Sequence, residues 1–218
     1  MKIHIIAALL MFNVTNQSAA LEQTVNSDNK QVEQWLEKGL AAHKIDDLMG
    51  ALNWLGKAAK QGQPKAKAML GYLYLRSDEI ELAVPLFEQA AKQGNAMAQF
   101  ELSTLYAQGN GVEQNFTTAL AFLNQAIAQD HLPAIYLLAS SYEQGKFGLA
   151  VNIEKAVSHY QQASNKGYPT ATYRLIQAYK NGELGFSKDK AKEKELKDLL
   201  NKHSEEKAKQ EKEKLADY

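Results

Sequence analysis

Residues 98–130 read AQFELSTLYAQGNGVEQNFTTALAFLNQAIAQD, and the GNG at Gly109–Gly111 decides how the rest is to be understood. A phosphate loop needs a buried strand before its glycines and, in the Walker form, a Lys-Ser or Lys-Thr pair after them. Neither is present. Before the glycines, Ala98, Leu102, Leu105 and Tyr106 fall on one side of a 3.6-residue period, which predicts a helix. After them, Ala119, Phe122, Ala126 and Ile127 repeat the same period. The glycines therefore turn a corner between two helices, where a backbone with positive φ is commonly needed.

This two-helix unit recurs. AAKQG ends at Gly62 and again at Gly94, AIAQD ends at Asp130 and ASNKG at Gly167, in steps of 32, 36 and 37 residues. A period in that range indicates stacked helical hairpins. The leading helices share a stripe: Ala66, Leu70, Gly71, Tyr74; Ala98, Leu102, Ser103, Tyr106; Ala134, Leu138, Ala139, Tyr142; Ala171, Leu175, Ile176, Tyr179. The second helices carry Ala51, Trp54, Ala58 and Ala59, then Ala83, Leu86, Ala90 and Ala91, and, in the fourth unit, Ala156, His159, Tyr160 and Ala163. Small residues let helices approach closely, and the tyrosines fill what is left. The units are expected at 31–62, 63–94, 95–130, 131–167 and 168–203. The first has Ala42 in the tyrosine place; the last has Leu196, Leu199 and Leu200 spaced between charges.

Residues 98–130 resemble a Sel-one-like repeat, a relative of the tetratricopeptide repeat, through Ala98, Leu102, Tyr106, Gly109, Gly111, Val112, Asn115, Ala119, Phe122 and Ala126. The next unit matches through Ala134, Leu138, Tyr142, Gly145, Gly148, Asn152 and Ala156, and the last through Ala171, Leu175, Tyr179, Gly182, Gly185 and Asp189. The units ending at Gly62 and Gly94 lack the glycine corner and are closer to the tetratricopeptide form. The fold expected is all-α, a right-handed solenoid of stacked antiparallel helix hairpins. The resemblance implies an adaptor or scaffold for other proteins, often in envelope and export processes, which is analogy from the fold.

Residues 1–20 have the form of a signal peptide: Lys2, an apolar run from Ile5 to Phe12, and small residues ending at Ala20, predicting cleavage before Leu21. The run is too short to span a bilayer. No integral membrane segment is expected after cleavage, and the expected location is periplasmic or secreted. Residues 21–30 read as a flexible lead-in, and 204–218 as a charged tail, either a frayed solvated helix or disorder. The chain's 25 basic and 25 acidic residues cancel, so no overall field draws it to nucleic acid. It has no cysteine, so stability rests on packing.

Chemistry has little support. No HExxH or GxSxG occurs, and His43, His131, His159 and His203 are scattered. His159 reads as an interface side chain beside Tyr160. Asp46-Asp47 and Asp78-Glu79 lie in short links where acids at a helix start suit the dipole. No catalytic residue, metal ligand or cofactor site is expected. The first-helix positions off the packing stripe are the candidate contacts for an envelope or secreted protein partner: Lys67, Gln99, Thr104, Tyr136, Ser140, Tyr173 and Gln177. Tyr74, Tyr106, Tyr142 and Tyr179, with the corner glycines, are expected to be structural. The rival reading is a factor that binds or cleaves cell-wall glycan.

Overall fold

The computed structural model describes residues 28–216. Residues 1–20, read from the sequence as a signal peptide, and most of the lead-in lie outside the described residues. Asp28, Asn29 and Lys30, placed in the lead-in from sequence, are already helical. All regular structure among the described residues is α-helix: α1 (28–44), α2 (Leu48–Lys60), α3 (Pro64–Arg76), α4 (Ile80–Lys92), α5 (Ala96–Gln108), α6 (Phe116–Ile127), α7 (Leu132–Gln144), α8 (Ile153–Asn165), α9 (Pro169–Asn181) and α10 (Lys190–Ala216). The chain divides into two compact units, one ending at Asn95 and one beginning at Ala96.

In the first unit, α1 to α4 bury Leu36, Leu55, Ala58, Ala66, Leu70 and Leu73 in one cluster. Close approach of α1 and α2 depends on Gly39, where a Cβ would come within 2.6 Å of Leu55 Cγ. The links are tight. Asp46 and Asp78 adopt φ of 57° and 63°, a conformation Asp tolerates better than most residues. Asp47 caps α2, its Oδ1 accepting from the Gly50 amide at 2.9 Å. These acids are thus accounted for by backbone geometry.

In the second unit, α5 to α10 pack as successive pairs around Leu123, Ala126, Ala134 and Leu138 and around Ile135, Tyr160, Ala171 and Leu175. The glycine corners turn through left-handed residues: Gly109 and Gly111, then Gly145 with Phe147 and Gly148, then Gly182 with Leu184 and Gly185. Gly145 is the αL cap of α7, its amide donating to the Ser141 carbonyl. Asn115 and Asn152 then cap α6 and α8, accepting from Thr118 and Lys155 amides at 2.9 Å.

One hydrogen bond recurs in every hairpin. The amide that opens the second helix donates back to the carbonyl at the tyrosine position: Glu79 to Tyr74 at 2.9 Å, Asn115 to Tyr106 at 2.8 Å, Asn152 to Tyr142 at 2.8 Å and Asp189 to Tyr179 at 3.0 Å. Asp47 does the same to Ala42, at 3.0 Å, so the first unit keeps the backbone closure without the ring. Corners of different length end on the same acceptor.

The tail is helical. Residues 204–216 continue α10, whose apolar Leu196 packs on the second-unit core. Leu199, Leu200 and His203 are half-buried; from Ser204 to Glu213 the helix is exposed, and Lys–Glu pairs such as Lys202–Glu206 and Lys209–Glu213 at 3.9 Å lace its surface. Pairs of this spacing add a few tenths of a kcal/mol each.

Candidate functional site

The repeated tyrosines lie against the helix that follows. Tyr106 stacks on Phe122 with ring centroids 5.8 Å apart, Tyr142 on His159 at 6.0 Å, and Tyr179 on Phe186 at 4.2 Å. Tyr74 packs beside Leu86 on the first-unit core. All four rings are half-buried. His159 is thereby a packing side chain, its Nδ1 3.3 Å from Gln162 Oε1.

The proposed contact positions divide into two groups. Tyr173 is 56% exposed and Gln177, one turn later on α9, is exposed as well. Thr104 and Ser140 are half-buried, and their hydroxyls donate to the Glu101 and Leu137 carbonyls of their own helices. Thr104 also lines an open groove of about 560 Å³ beside the corners, with Phe116, Leu137 and Phe147; Phe116 is 41% exposed there. In the first unit, Lys67 lines a separate groove between α2, α3 and α4.

Two positions are corrected. Gln99 is only 4% exposed, and its Oε1 accepts from Gln129 Nε2 at 2.7 Å, so it serves the interior. Tyr136 is half-buried and not an outward platform: its ring lies 5.4 Å from Tyr160 and 5.6 Å from Tyr168, packed against the core that α7, α8 and α9 share.

Around that cluster is a charged network that spacing alone does not reveal. Glu143, at the end of α7, accepts from Arg174 Nη2 at 2.5 Å, from Arg174 Nε at 3.3 Å and from the Tyr160 hydroxyl at 2.6 Å. Arg174 Nη1 donates to Glu183 in the next corner at 2.7 Å. Burial alone would raise the Glu143 pKa; hydrogen bonds from Arg174 and Tyr160 outweigh it and hold the carboxyl below the usual range. Burial and the Glu143 hydrogen bond push the Tyr160 phenol up. Every strong donor and acceptor here is engaged with another, which makes the network a clamp on α7, α8, α9 and a corner. Elsewhere, burial raises Glu101 on α5 to about 7, and burial also lowers His131, whose ring lies 5.1 Å from Phe100.

Among the described residues, no group of three or more His, Asp or Glu side chains is placed to hold a metal ion, and no helix is long and apolar enough to cross a membrane. The Sel1 repeat model matches residues 34–63, 64–95, 96–131 and 132–168, well over half the chain. The chain belongs to the Sel1 repeat family. Its fold class is the helical-repeat solenoid of that family. Similar solved structures include a Sel1 repeat protein from Oxalobacter formigenes, at 24% identity and TM-score 0.69, covering 80% of this chain and 72% of that one. A protective antigen present in uropathogenic Escherichia coli strains, with an SLR fold, is 24% identical with a TM-score of 0.63; the match covers 84% of this chain and 40% of that chain. A Sel1 repeat protein from Klebsiella pneumoniae subsp. pneumoniae is 22% identical with a TM-score of 0.54, covering 81% and 97%. At these identities the likeness is one of fold. Comparison with curated protein sequences finds no match. Sel1 repeats generally mediate protein–protein interactions and are typically non-catalytic. The α9–α10 pair follows the fourth matched repeat with the same corner geometry.

Proposed function

We propose that this Sel1 repeat protein is a non-enzymatic adaptor of the bacterial periplasm or envelope that holds another protein against its hairpin array. The observation that carries this reading is on α9. Tyr173 stands exposed directly beside Arg174, whose guanidinium is anchored to Glu143 and Glu183. A tyrosine offers large contact area at little entropic cost, and the ion pairs of Arg174 with Glu143 and Glu183 hold in place the helix that carries it. Gln177 lies one turn further on the same helix with an amide for backbone recognition. The location rests on the leader-like residues 1–20.

A photo-crosslinking residue at Tyr173 or Gln177, introduced in the native cell, tests the adaptor role. One dominant protein adduct supports it. Recovery of cell-wall glycan alone transfers the assignment to a glycan-associated factor, and the absence of any adduct at both positions rejects this surface. N-terminal sequencing of the same material tests export: a chain beginning at Leu21 outside the cytoplasm supports it, and an intact Met1 on a cytoplasmic species overturns it.

A further inference from the structure

From Leu48 to Arg76 the sequence contains Lys57, Lys60, Lys65, Lys67 and Arg76 and no Asp or Glu. In a chain whose charges cancel overall, the α2–α3 hairpin is a run of basic residues bounded by Asp46-Asp47 and Asp78-Glu79. Three of its lysines share one groove. Lys57 and Lys60, neighbours on one face of α2, and Lys67 on α3 line an open cleft of about 640 Å³ that α4 completes through Leu86 and Gln89. Among the described residues no carboxylate lines this cleft, and none of the three lysines forms a salt bridge. Lys57 lies 4.3 Å over the Trp54 ring, and Lys38 lies 4.7 Å from the same ring. A cation–π contact positions an ammonium without neutralising it, so the Lys57 charge still adds to the field of the cleft.

The cleft is also kept open. A Cβ built on Gly56, which lines it, would meet nothing within 4 Å. Glycine inside a helix destabilises it relative to alanine, and no neighbour of Gly56 requires it. What the missing side chain leaves is room beside the lysines. The remaining lining is mixed: Leu70, Leu86 and the Tyr74 ring supply apolar surface, while Asn53 and Gln89 supply donors and acceptors.

We propose that this cleft binds an acidic, extended segment of a protein partner. Carboxylates of the segment meet Lys60 and Lys67, an intervening apolar side chain rests on Leu70 and Leu86, and the amides of Asn53 and Gln89 meet its backbone. A free phosphate would use the ammonium groups but leave the apolar and amide lining idle, which is why a peptide is the better fit. The inference rests on the adaptor reading and names the chemistry of the partner.

The test is fluorescence anisotropy of the full chain with a labelled peptide of sequence EELEELEE, beside QQLQQLQQ and KKLKKLKK. The acidic peptide is expected to bind about tenfold or more tighter than either control, and to weaken as salt rises from about 0.05 to 0.2 M. Lys60→Gln with Lys67→Gln should reduce its affinity about tenfold. Gly56→Glu, whose added atoms enter open space, should abolish binding while the thermal melt stays intact; Lys155→Gln, on α8, should change nothing. Equal binding of acidic and neutral peptides, or indifference to the lysine changes, overturns the proposal. So does saturable binding of inorganic phosphate or of an acidic glycan when no peptide binds. Crosslinking through Tyr173 in the unaltered chain separates the two readings: a protein adduct with no binding of the acidic peptide rejects this cleft alone, whereas recovery of cell-wall glycan alone rejects the adaptor.

Discussion

The Tyr160 hydroxyl donates to Glu143 Oε2 at 2.6 Å from a ring that is 1% exposed. The contact ties the middle of α8 to the end of α7, and Arg174 extends it to α9. Removing the hydroxyl alone, in Tyr160→Phe, leaves Glu143 its two bonds from Arg174 and should cost about 1 kcal/mol. Tyr160→Ala also empties the site at the centre of the α7–α9 core and should cost about 3–5 kcal/mol. Urea denaturation of both variants measures the difference. Equal losses would mean that the hydroxyl, and not the ring, holds these helices.

Glu143 and Glu101 should respond to pH in opposite senses. The folded pKa of Glu143 is depressed, so its stabilisation is present above the unfolded carboxyl value of about 4.3 and is lost as pH falls through the lower folded value. The folded pKa of Glu101 is raised by burial from 4.5 to about 7. Between those values the native state holds a proton that the unfolded state has released, so stability falls as pH rises through the window. Above it, ionised Glu101 is a standing penalty of roughly 3 kcal/mol. Glu101→Gln should therefore stabilise the protein at pH 8 and have little effect at pH 4. Carbon-detected NMR titration gives the pKa directly, and a midpoint near 4 would remove the basis for this expectation.

Two glycines should answer substitution with opposite signs. Gly145 has φ of 68°, and a Cβ there would lie 3.2 Å from Val151 Cγ2, so Gly145→Val should cost on the order of 1–3 kcal/mol. Gly56 is helical and open, so Gly56→Ala should gain about 0.5–1 kcal/mol. Thermal melts of the two variants decide; a loss at Gly56 would reveal a packing role for that position.

What was legible in the sequence was whatever repeats. The Ala-Leu-Tyr stripe and the glycine corners are local patterns, and each hairpin closes from within, as the Asn115-to-Tyr106 and Asn152-to-Tyr142 amide bonds illustrate. What escaped was set by space. Glu143 and Arg174 are 31 residues apart and belong to one unit each, with no counterpart in the other repeats to flag them. Position 174 corresponds to Leu137, Glu101 and Met69 in the earlier units, so its charge looked incidental. An ideal period assigns Tyr136 and Gln99 to the outside, yet a ring and an amide with partners in reach turn inward. The helical state of 204–216 was ambiguous because its composition suits a solvated helix and a disordered tail equally.

The tyrosines bring packing and recognition into one experiment. Tyr106 and Tyr142 are half-buried against Phe122 and His159, so truncation to Ala should cost about 2 kcal/mol, less than the 3–5 kcal/mol of a fully buried aromatic. Tyr136, held between Tyr160 and Tyr168, should behave as they do: Tyr136→Ala should cost about 2 kcal/mol and affect partner capture only through folding. Tyr173 has no such neighbours among the described ring contacts and is more than half exposed, so Tyr173→Ala should melt within about 0.5 kcal/mol of the parent chain. Its effect should fall on capture of the partner instead. Chemical denaturation of the four variants, paired with pull-down from envelope extract, places each tyrosine by whether it loses stability, capture or both. If Tyr173→Ala keeps full capture, α9 is not the contact helix; if it unfolds the unit, the exposed face is part of the packing and the partner must engage elsewhere.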